Sequence, residues 1–226
     1  MSATNRAEPG VTEADRLVAG AALLPAVGRL LDVGCGDGSL VLGLKDKARL
    51  TVGMDRSPDH CVAAEAKGVR AVCVDLHAPR LPCRDGVFDA VACLDVIEHV
   101  LDPRHLLREL ARVLRPGGIL VLTTPNIRYY GFVLTLVRGR FPRTSGDPEG
   151  YDGGHLHYFT FADIRALLEE AGFGAIEEFG LYRWTWLPPW GRVKEAVKAL
   201  LGDHIKREFF SGAVVVRGAR MQRTIR

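Results

Sequence analysis

The stretch Leu30-Leu31-Asp32-Val33-Gly34-Cys35-Gly36-Asp37-Gly38-Ser39 decides the fold of this 226-residue chain. It is an apolar strand ending in a carboxylate, followed by three alternating glycines and a helix start. Such glycines allow positive φ and let the backbone approach a ligand closely. A dinucleotide loop would carry G-x-G-x-x-G, with glycine at position 39, to seat a pyrophosphate. Position 39 is serine, and the acids Asp32 and Asp37 suit a cationic ligand better, which disfavours a nicotinamide dehydrogenase.

Short apolar runs alternate with helical patterns on both sides of this loop. Strands are predicted at residues 29–33, 50–55, 69–74, 88–94 and 119–123, with a closing strand at 213–216. Helices are predicted at 12–24, after Ser57-Pro58, after Asp102-Pro103 up to the Pro-Gly-Gly at 116–118, and from Thr160 to Gly172. This rhythm predicts an α/β fold with a parallel sheet and helices on both faces.

No linker interrupts the chain, so we expect a single domain over residues 1–226, with a ligand-binding half at 11–126. Two insertions, at 127–158 and 184–207, are long enough to form lids or binding loops. The first mixes aromatic and aliphatic side chains with arginines, and the second places three tryptophans before an amphipathic helix near 193–201. Both suit an apolar acceptor or an anionic membrane surface. The favoured interpretation is an ordinary lid packed on the core, with its arginines in solvent.

Carboxylates end successive predicted strands. Asp55 follows the second strand, Asp75 the third and Asp95 the fourth, after Leu94. The carboxyl ends of parallel strands form the ligand crevice of an open sheet. Asp55 can accept both hydroxyls of a ribose, and Asp75 can accept from an exocyclic amine such as that of adenine.

Composition excludes several classes of protein. Apolar residues make up 47% and charged residues 25%, as in a globular protein, and the net charge of +3 is too mild to indicate nucleic acid. No uncharged run is longer than 116–127, which is too short to span a bilayer, and no signal peptide is visible. The five cysteines form no C-x-x-C pair, which favours reduced core cysteines in a cytoplasmic protein.

These motifs together resemble class I S-adenosylmethionine-dependent methyltransferases. The similarity covers residues 28–126, including D-V-G-C-G-D-G-S, F-D-A-V-A-C-L-D-V-I-E-H-V and L-R-E-L-A-R-V-L-R-P-G-G. The later T-P-N and H-L-H-Y-F-T segments resemble the MetW group, methyltransferases found beside polysaccharide and lipid biosynthesis enzymes, and ubiquinone-type O-methyltransferases. The resemblance implies a Rossmann-like sheet of seven strands, in the order 3-2-1-4-5-7-6, whose last two strands form an antiparallel hairpin near 176–183 and 210–217.

The resemblance also implies cofactor contacts, with S-adenosylmethionine as the cofactor and S-adenosylhomocysteine as the product. Asp32 should lie near the ammonium, the glycine loop near the methionyl and ribose groups, Asp55 at the ribose, and Asp75 with Leu76 at the adenine. Leu94 and Asp95 should flank the methionyl side. The full set of expected cofactor residues is Asp32, Gly34, Cys35, Gly36, Gly38, Asp55, Arg56, Asp75, Leu76, Leu94 and Asp95.

Methyl transfer to an oxygen acceptor of high pKa also needs a general base. The candidates are His155, His157, His99 and Asp95, and alternation lets only one of His155 and His157 face the site. The expected acceptor is a small molecule, lipid or saccharide, with oxygen the favoured acceptor atom and nitrogen or carbon left open. A peripheral membrane contact is also left open. No residues have metal-ligand spacing, so no metal is expected, although a weakly held Mg²⁺ stays open.

A second hypothesis belongs to a different class. A MetW-like protein could bind the cofactor as a sensor and regulate a partner acyltransferase of methionine biosynthesis. The insertions on the acceptor side favour an enzyme, because a sensor needs no acceptor pocket.

Overall fold

The computed structural model describes residues 11–44, 46–145, 151–182 and 202–222. Their strands form a seven-stranded sheet in the order β3-β2-β1-β4-β5-β7-β6. The strands are β1 (Val27–Val33), β2 (Ala48–Asp55), β3 (Arg70–Cys73), β4 (Phe88–Leu94), β5 (Leu114–Pro125), β6 (Phe173–Tyr182) and β7 (Ser211–Arg220). The first five run parallel, whereas β7 is antiparallel to both β5 and β6. The predicted order and the antiparallel final pair are both confirmed.

Helices flank the sheet, and local caps define where most of them begin. They are α1 (Glu13–Leu23), α2 (Ser39–Gly43), α3 (Pro58–Ala66), α4 (Pro103–Val113), α5 (Tyr130–Val137) and α6 (Phe161–Glu170), followed by a short helical turn at Asp203–Ile205. Thr12 and Thr160 both form capping boxes, and the side chains of Ser57 and Asp102 accept backbone N–H groups ahead of a proline. These side chains satisfy amide donors that the first helical turn leaves unpaired.

The start of β5 differs from the prediction. The helix α4 ends at Val113, and Leu114 is already extended, with φ −71° and ψ 143°, so the Pro-Gly-Gly turn lies inside the strand and does not stop the helix. Leu114 pairs with Phe88 on β4, and the register shifts before Ile119 pairs with Ala90. Pairing with the neighbouring strand therefore begins before the apolar run that marked the strand in the sequence.

The two faces of the sheet bury separate apolar layers. Alternate residues of β4 point to opposite sides, as a strand requires. Val91 and Cys93 join the layer under α4 and α6, whereas Ala90, Ala92 and Leu94 join the layer under α1. Covering both faces places the carboxyl ends of the parallel strands at one open edge.

Three cysteines, Cys35, Cys61 and Cys93, are buried free thiols, as expected for core positions. Cys73 is also free but is exposed at the edge strand β3, so the expectation of core cysteines is wrong for that residue. An edge strand has no neighbour on one side to cover it.

The second insertion is described only from residue 202 onward. The three tryptophans and the helix predicted near 193–201 therefore lie outside the described residues. No helix of the described ranges is long and apolar enough to cross a membrane.

Candidate active site

The glycine loop follows β1 and leaves its middle open. Gly34, Gly36 and Gly38 have φ of 72°, 52° and 76°, a conformation that other residues adopt at a cost. A methyl group on Gly34 would collide with Val96, the second residue after β4. On Gly36 it would meet no described atom within 4 Å. The loop is thus packed at its start and accessible in its centre.

The side chain of Cys35 does not face that opening. It is buried with Ala64 and Val69, and it packs against the backbone of Gly53 on β2. Cys35 can therefore contribute only its backbone to a ligand.

Asp55 ties the loop to the end of β2. Its two carboxylate oxygens accept the N–H of Gly36 and the N–H of Ser57, each at 2.9 Å, and Nδ1 of His60 lies 3.3 Å away. A carboxylate offers about four acceptor positions, so capacity for a further donor remains. Asp55 therefore orders the loop and can still accept a hydroxyl.

Asp32 is a buried carboxylate with an unused oxygen. It is 2% exposed, and its Oδ2 has no hydrogen-bond partner among the described residues. Burial, helped by the nearby Asp55, raises the pKa of Asp32 to about 7. A cationic group bound in the open loop would supply the missing partner. This orphaned oxygen is the structural feature that fits the ammonium of S-adenosylmethionine.

Asp75 and Leu76, which are predicted at the adenine, follow β3, and Arg56, a further predicted cofactor residue, follows β2. Asp75 is exposed, and its Oδ1 accepts the backbone N–H of His77 at 2.9 Å, which lowers its pKa. Leu76 is partly buried against the core, and the side chain of Arg56 is exposed. These positions share one edge of the sheet with Asp32 and Asp55.

The residues at the end of β4 pack against α1 and form an ion pair with it. Leu94 packs its side chain against Gly20, where an added methyl group would lie 2.6 Å from Cδ2 of Leu94. Asp95 has φ 55°, and its carboxylate accepts from Nε of Arg16 at 2.7 Å and from Oγ1 of Thr123 at 2.9 Å. Burial nevertheless raises the pKa of Asp95. With both oxygens engaged, Asp95 anchors α1 to the end of β4 in this arrangement. Its role as a base stays a prediction.

Glu98, His99 and His155 form the polar cluster beside this anchor. Each offers one ligand atom within 4.8 Å of the other two, and the histidine rings meet edge to face with centroids 4.6 Å apart. Neither carboxylate oxygen of Glu98 has a hydrogen-bond partner in the described part of the chain. Burial, with the neighbouring Asp95, raises the pKa of Glu98 to about 8. Burial lowers the pKa of His99, and burial together with His99 lowers that of His155 to about 4.

Of the two histidines after the glycine pair, only His155 enters the polar cluster. His157 stacks on Phe159 with centroids 5.8 Å apart. Both of the backbone N–H groups at positions 156 and 157 donate to the carbonyl of Glu98, which attaches this segment to the end of β4.

The donor types of the polar cluster are also those that hold divalent cations. Its members come from two distant parts of the sequence, so a search for local ligand spacing does not find them. The expectation of no metal therefore stays a prediction.

Sequence reasoning missed four polar residues around this site: Arg16, Glu98, Thr144 and Asp152. Glu98 directly precedes the candidate base His99 in the sequence. Arg16 carries no local motif, and its contact with Asp95 across the fold places it here. Thr144 and Asp152 contact each other within one segment, but no sequence motif marks them.

The first insertion begins with a partly exposed apolar surface. None of the side chains of α5 is fully buried, and Val137 is 78% exposed. Arg128, expected in solvent, instead donates to Glu208 at 2.9 Å and lies over the ring of Phe209 at 4.5 Å. The carboxylate of Glu208 is almost fully buried, so Arg128 is held as its partner.

Comparisons with known proteins agree with this geometry. Residues 7–178 match the family described as "Methyltransferase domain". A ubiquinone biosynthesis O-methyltransferase of Xanthomonas axonopodis pv. citri is 31% identical over 174 residues, covering 74% of this chain and 71% of the relative. Another of that name, from Xanthomonas oryzae pv. oryzae, is 35% identical over 118 residues, and the match spans about half of each chain, 50% and 49%.

A solved structure shares the fold. An S-adenosylmethionine-dependent methyltransferase of Thermotoga maritima, described as a possible histamine N-methyltransferase, superposes with a TM-score of 0.65 at 22% identity, covering 92% of this chain and 88% of that one. The family match over most of the chain, an open glycine loop and an unpartnered buried carboxylate at the strand ends lead to one assignment. This chain belongs to the methyltransferase-domain family and is an enzyme that uses S-adenosylmethionine.

Proposed function

We propose that the enzyme methylates a hydroxyl oxygen of a small-molecule, lipid or saccharide acceptor, and that His155 receives the hydroxyl proton. The observation that carries this proposal is the state of His155. Its side chain is 4% exposed, and its lowered pKa of about 4 keeps the ring neutral at pH 7. In the described ranges no hydrogen bond engages its Nε2. A neutral imidazole with a free nitrogen can accept a proton, which is the first requirement of a general base.

The polar cluster adjoins the predicted cofactor loop. Val96 contacts Gly34 in the loop, and Glu98 follows two residues later. When bound, S-adenosylmethionine supplies an electrophilic methyl group for in-line displacement. The protein's own contribution is to hold acceptor and cofactor in line in a dry site and to accept the proton.

The division of the chain supports the same proposal. Residues 11–126 carry the predicted cofactor contacts, and 127–158 supply His155 and the exposed apolar side chains of α5. Leu134 and Leu136, each more than two-fifths exposed, favour an acceptor with an apolar part. The relatives named as ubiquinone biosynthesis O-methyltransferases support oxygen as the acceptor atom.

A radiolabelled S-adenosylmethionine assay tests the proposal. Purified protein is given phenols, hydroxylated lipids and saccharides, with amines as the comparison. We expect transfer to a hydroxyl acceptor, and His155→Gln should lower kcat about 10²- to 10⁴-fold, the usual contribution of a general base. S-adenosylhomocysteine affinity should not change.

His157→Gln is the matched control from the same segment, and it should retain kcat. Transfer to amines alone, or equal losses in both variants, would contradict the proposal. Activity that EDTA abolishes and Mg²⁺ restores would assign the polar cluster to a cation and overturn the role of His155 as base.

A further inference from the structure

A buried chain of hydrogen bonds reaches His155 from the side away from Nε2. Nδ1 of His155 lies 2.7 Å from Oγ1 of Thr144, and this hydroxyl lies 2.7 Å from Oδ2 of Asp152. The Asp152 side chain is fully buried, and Thr144 is buried as well. The direct distance from Nδ1 to Oδ2 is 3.6 Å, too long for a good hydrogen bond, so the hydroxyl connects the two groups.

The other oxygen of Asp152 is already occupied. Oδ1 accepts the backbone N–H of Thr144 at 2.6 Å and that of Ser145 at 2.9 Å. Asp152 itself has φ 63°, and Gly153 and Gly154 follow with φ of 65° and 76°. A non-glycine residue in this conformation costs energy, which the three hydrogen bonds to its carboxylate offset.

The direction of these hydrogen bonds follows from counting the protons that each group can donate. The carboxylate of Asp152 accepts at each of these contacts, and Thr144 donates its single hydroxyl proton to Oδ2. The oxygen of Thr144 then has only lone pairs for the histidine, and Nδ1 must carry the proton between them. The opposite tautomer would set lone pairs against each other at 2.7 Å.

We propose that Thr144 and Asp152 are positioning residues that hold His155 as the Nδ1–H tautomer and leave the lone pair on Nε2 for the acceptor. The catalytic consequence rests on the proposed function, whereas the tautomer does not. During transfer the acceptor O–H bond breaks and an Nε2–H bond forms. No proton passes to Thr144 or Asp152, and the carboxylate stabilises the positive ring through the hydroxyl. The proton then leaves Nε2 for solvent.

The test reads the tautomer directly. In full-length protein with ¹⁵N-labelled histidine, S-adenosylhomocysteine and EDTA, a two-bond ¹H–¹⁵N spectrum distinguishes Nδ1–H from Nε2–H. His155→Gln identifies the signals. We expect Nδ1–H at His155 in the wild type, and an Nε2–H tautomer there would overturn the proposal.

Asp152→Asn should reverse the direction of the hydrogen bonds that link residue 152, Thr144 and His155. The backbone N–H groups keep the amide oxygen at the place of Oδ1, so the NH₂ group faces Thr144 and donates to its hydroxyl. The hydroxyl proton then turns to Nδ1, and His155 becomes the Nε2–H tautomer. An unchanged tautomer in this variant would contradict the proposal.

Two variants of Thr144 provide an independent test if Asp152→Asn does not fold. Thr144→Ser retains the hydroxyl and should preserve both the tautomer and kcat. In Thr144→Val the histidine should no longer be held in a single tautomer, and kcat should fall about 10- to 100-fold. Residues that orient metal-ligating histidines have effects of this size. The KM for S-adenosylmethionine should not change. Equal behaviour of the two variants would overturn the proposal. If the tautomer is as stated but no hydroxyl acceptor is methylated, the proposed function fails and the positioning role stands.

Discussion

Replacing Asp32 by asparagine should make the ligand-free protein more stable at pH 8 while weakening its binding of S-adenosylhomocysteine. Asp32 is buried, and one of its oxygens has no partner among the described residues. Its pKa in the folded protein is about 7, and burial is the main cause. The side chain is therefore a site where cofactor binding and stability of the free protein oppose each other.

The size of the effect follows from the pKa difference. An unfolded aspartate titrates near 3.9, so ionised Asp32 costs the folded state about 4 kcal/mol, at 1.36 kcal/mol per unit. Asparagine removes this cost but leaves a buried NH₂ group without an acceptor, which costs about 1–3 kcal/mol. The net gain at pH 8 should be about 1–3 kcal/mol.

The pH dependence gives the sharper signature. The pKa of Asp32 is higher in the folded protein than in the unfolded chain, so binding of its proton favours folding. This contribution to the free energy of unfolding is complete below pH 4 and is lost as the pH rises through 7. Between pH 8 and pH 5 the wild type should therefore gain about 3 kcal/mol of unfolding free energy from this residue, and Asp32→Asn should not. Other titrating groups are common to both proteins and cancel in the comparison.

The assay is urea denaturation of both proteins at pH 5 and pH 8, without cofactor. Calorimetric titration with S-adenosylhomocysteine at pH 8 accompanies it. Loss of the ionic partner of the ammonium should reduce affinity about 10- to 100-fold, the worth of a hydrogen bond between charged groups. Parallel pH profiles of the two proteins, or unchanged affinity in the variant, would refute the reasoning.

Three further variants probe the loop and the α1 anchor. Gly36→Ala should cost about 1–2 kcal/mol from its positive φ and also weaken S-adenosylhomocysteine binding, whereas Gly68→Ala, with φ 80° and equally open space, should show only the stability cost in thermal unfolding. Equal S-adenosylhomocysteine affinities of the Gly36→Ala and Gly68→Ala variants would contradict a ligand-binding role of the loop at Gly36. Asp55→Asn should release the loop and lower that affinity about 10-fold or more, which calorimetry measures; retained affinity would contradict its ordering role. Arg16→Met should lower the unfolding free energy by about 3–5 kcal/mol by leaving Asp95 unpaired, and adding Asp95→Asn should recover most of the loss; additive losses in urea denaturation would contradict the ion pair.

Much of the fold could be predicted from the sequence because its signals are local. The caps at Ser57, Asp102 and Thr160 act within one helical turn, and these three helices begin where their caps predict. The exception at β5 shows the limit, since pairing with β4 extended the strand back to Leu114.

The candidate site was only partly predictable. Asp32, Asp55 and Asp75 could be assigned to one edge of the sheet because the carboxyl ends of parallel strands must share an edge. The sequence did not show which of these carboxylates have hydrogen-bond partners, because this depends on tertiary contacts and burial. Asp32 has a buried oxygen without a partner among the described residues, whereas Asp95 is paired with Arg16.

The sequence by itself determined the strand and helix pattern, the glycine loop and the edge on which the acids lie, because each depends on neighbours within a few residues. Only the tertiary structure decided that Arg16 pairs with Asp95 across 79 positions, and that Thr144 and Asp152 support His155 beside Glu98. The Arg16–Asp95 pair and the approach of His155 to Glu98 join segments far apart in the chain, whereas Thr144, Asp152 and His155 meet within one loop. The energies of all these contacts depend on burial that exists only once the sheet has formed.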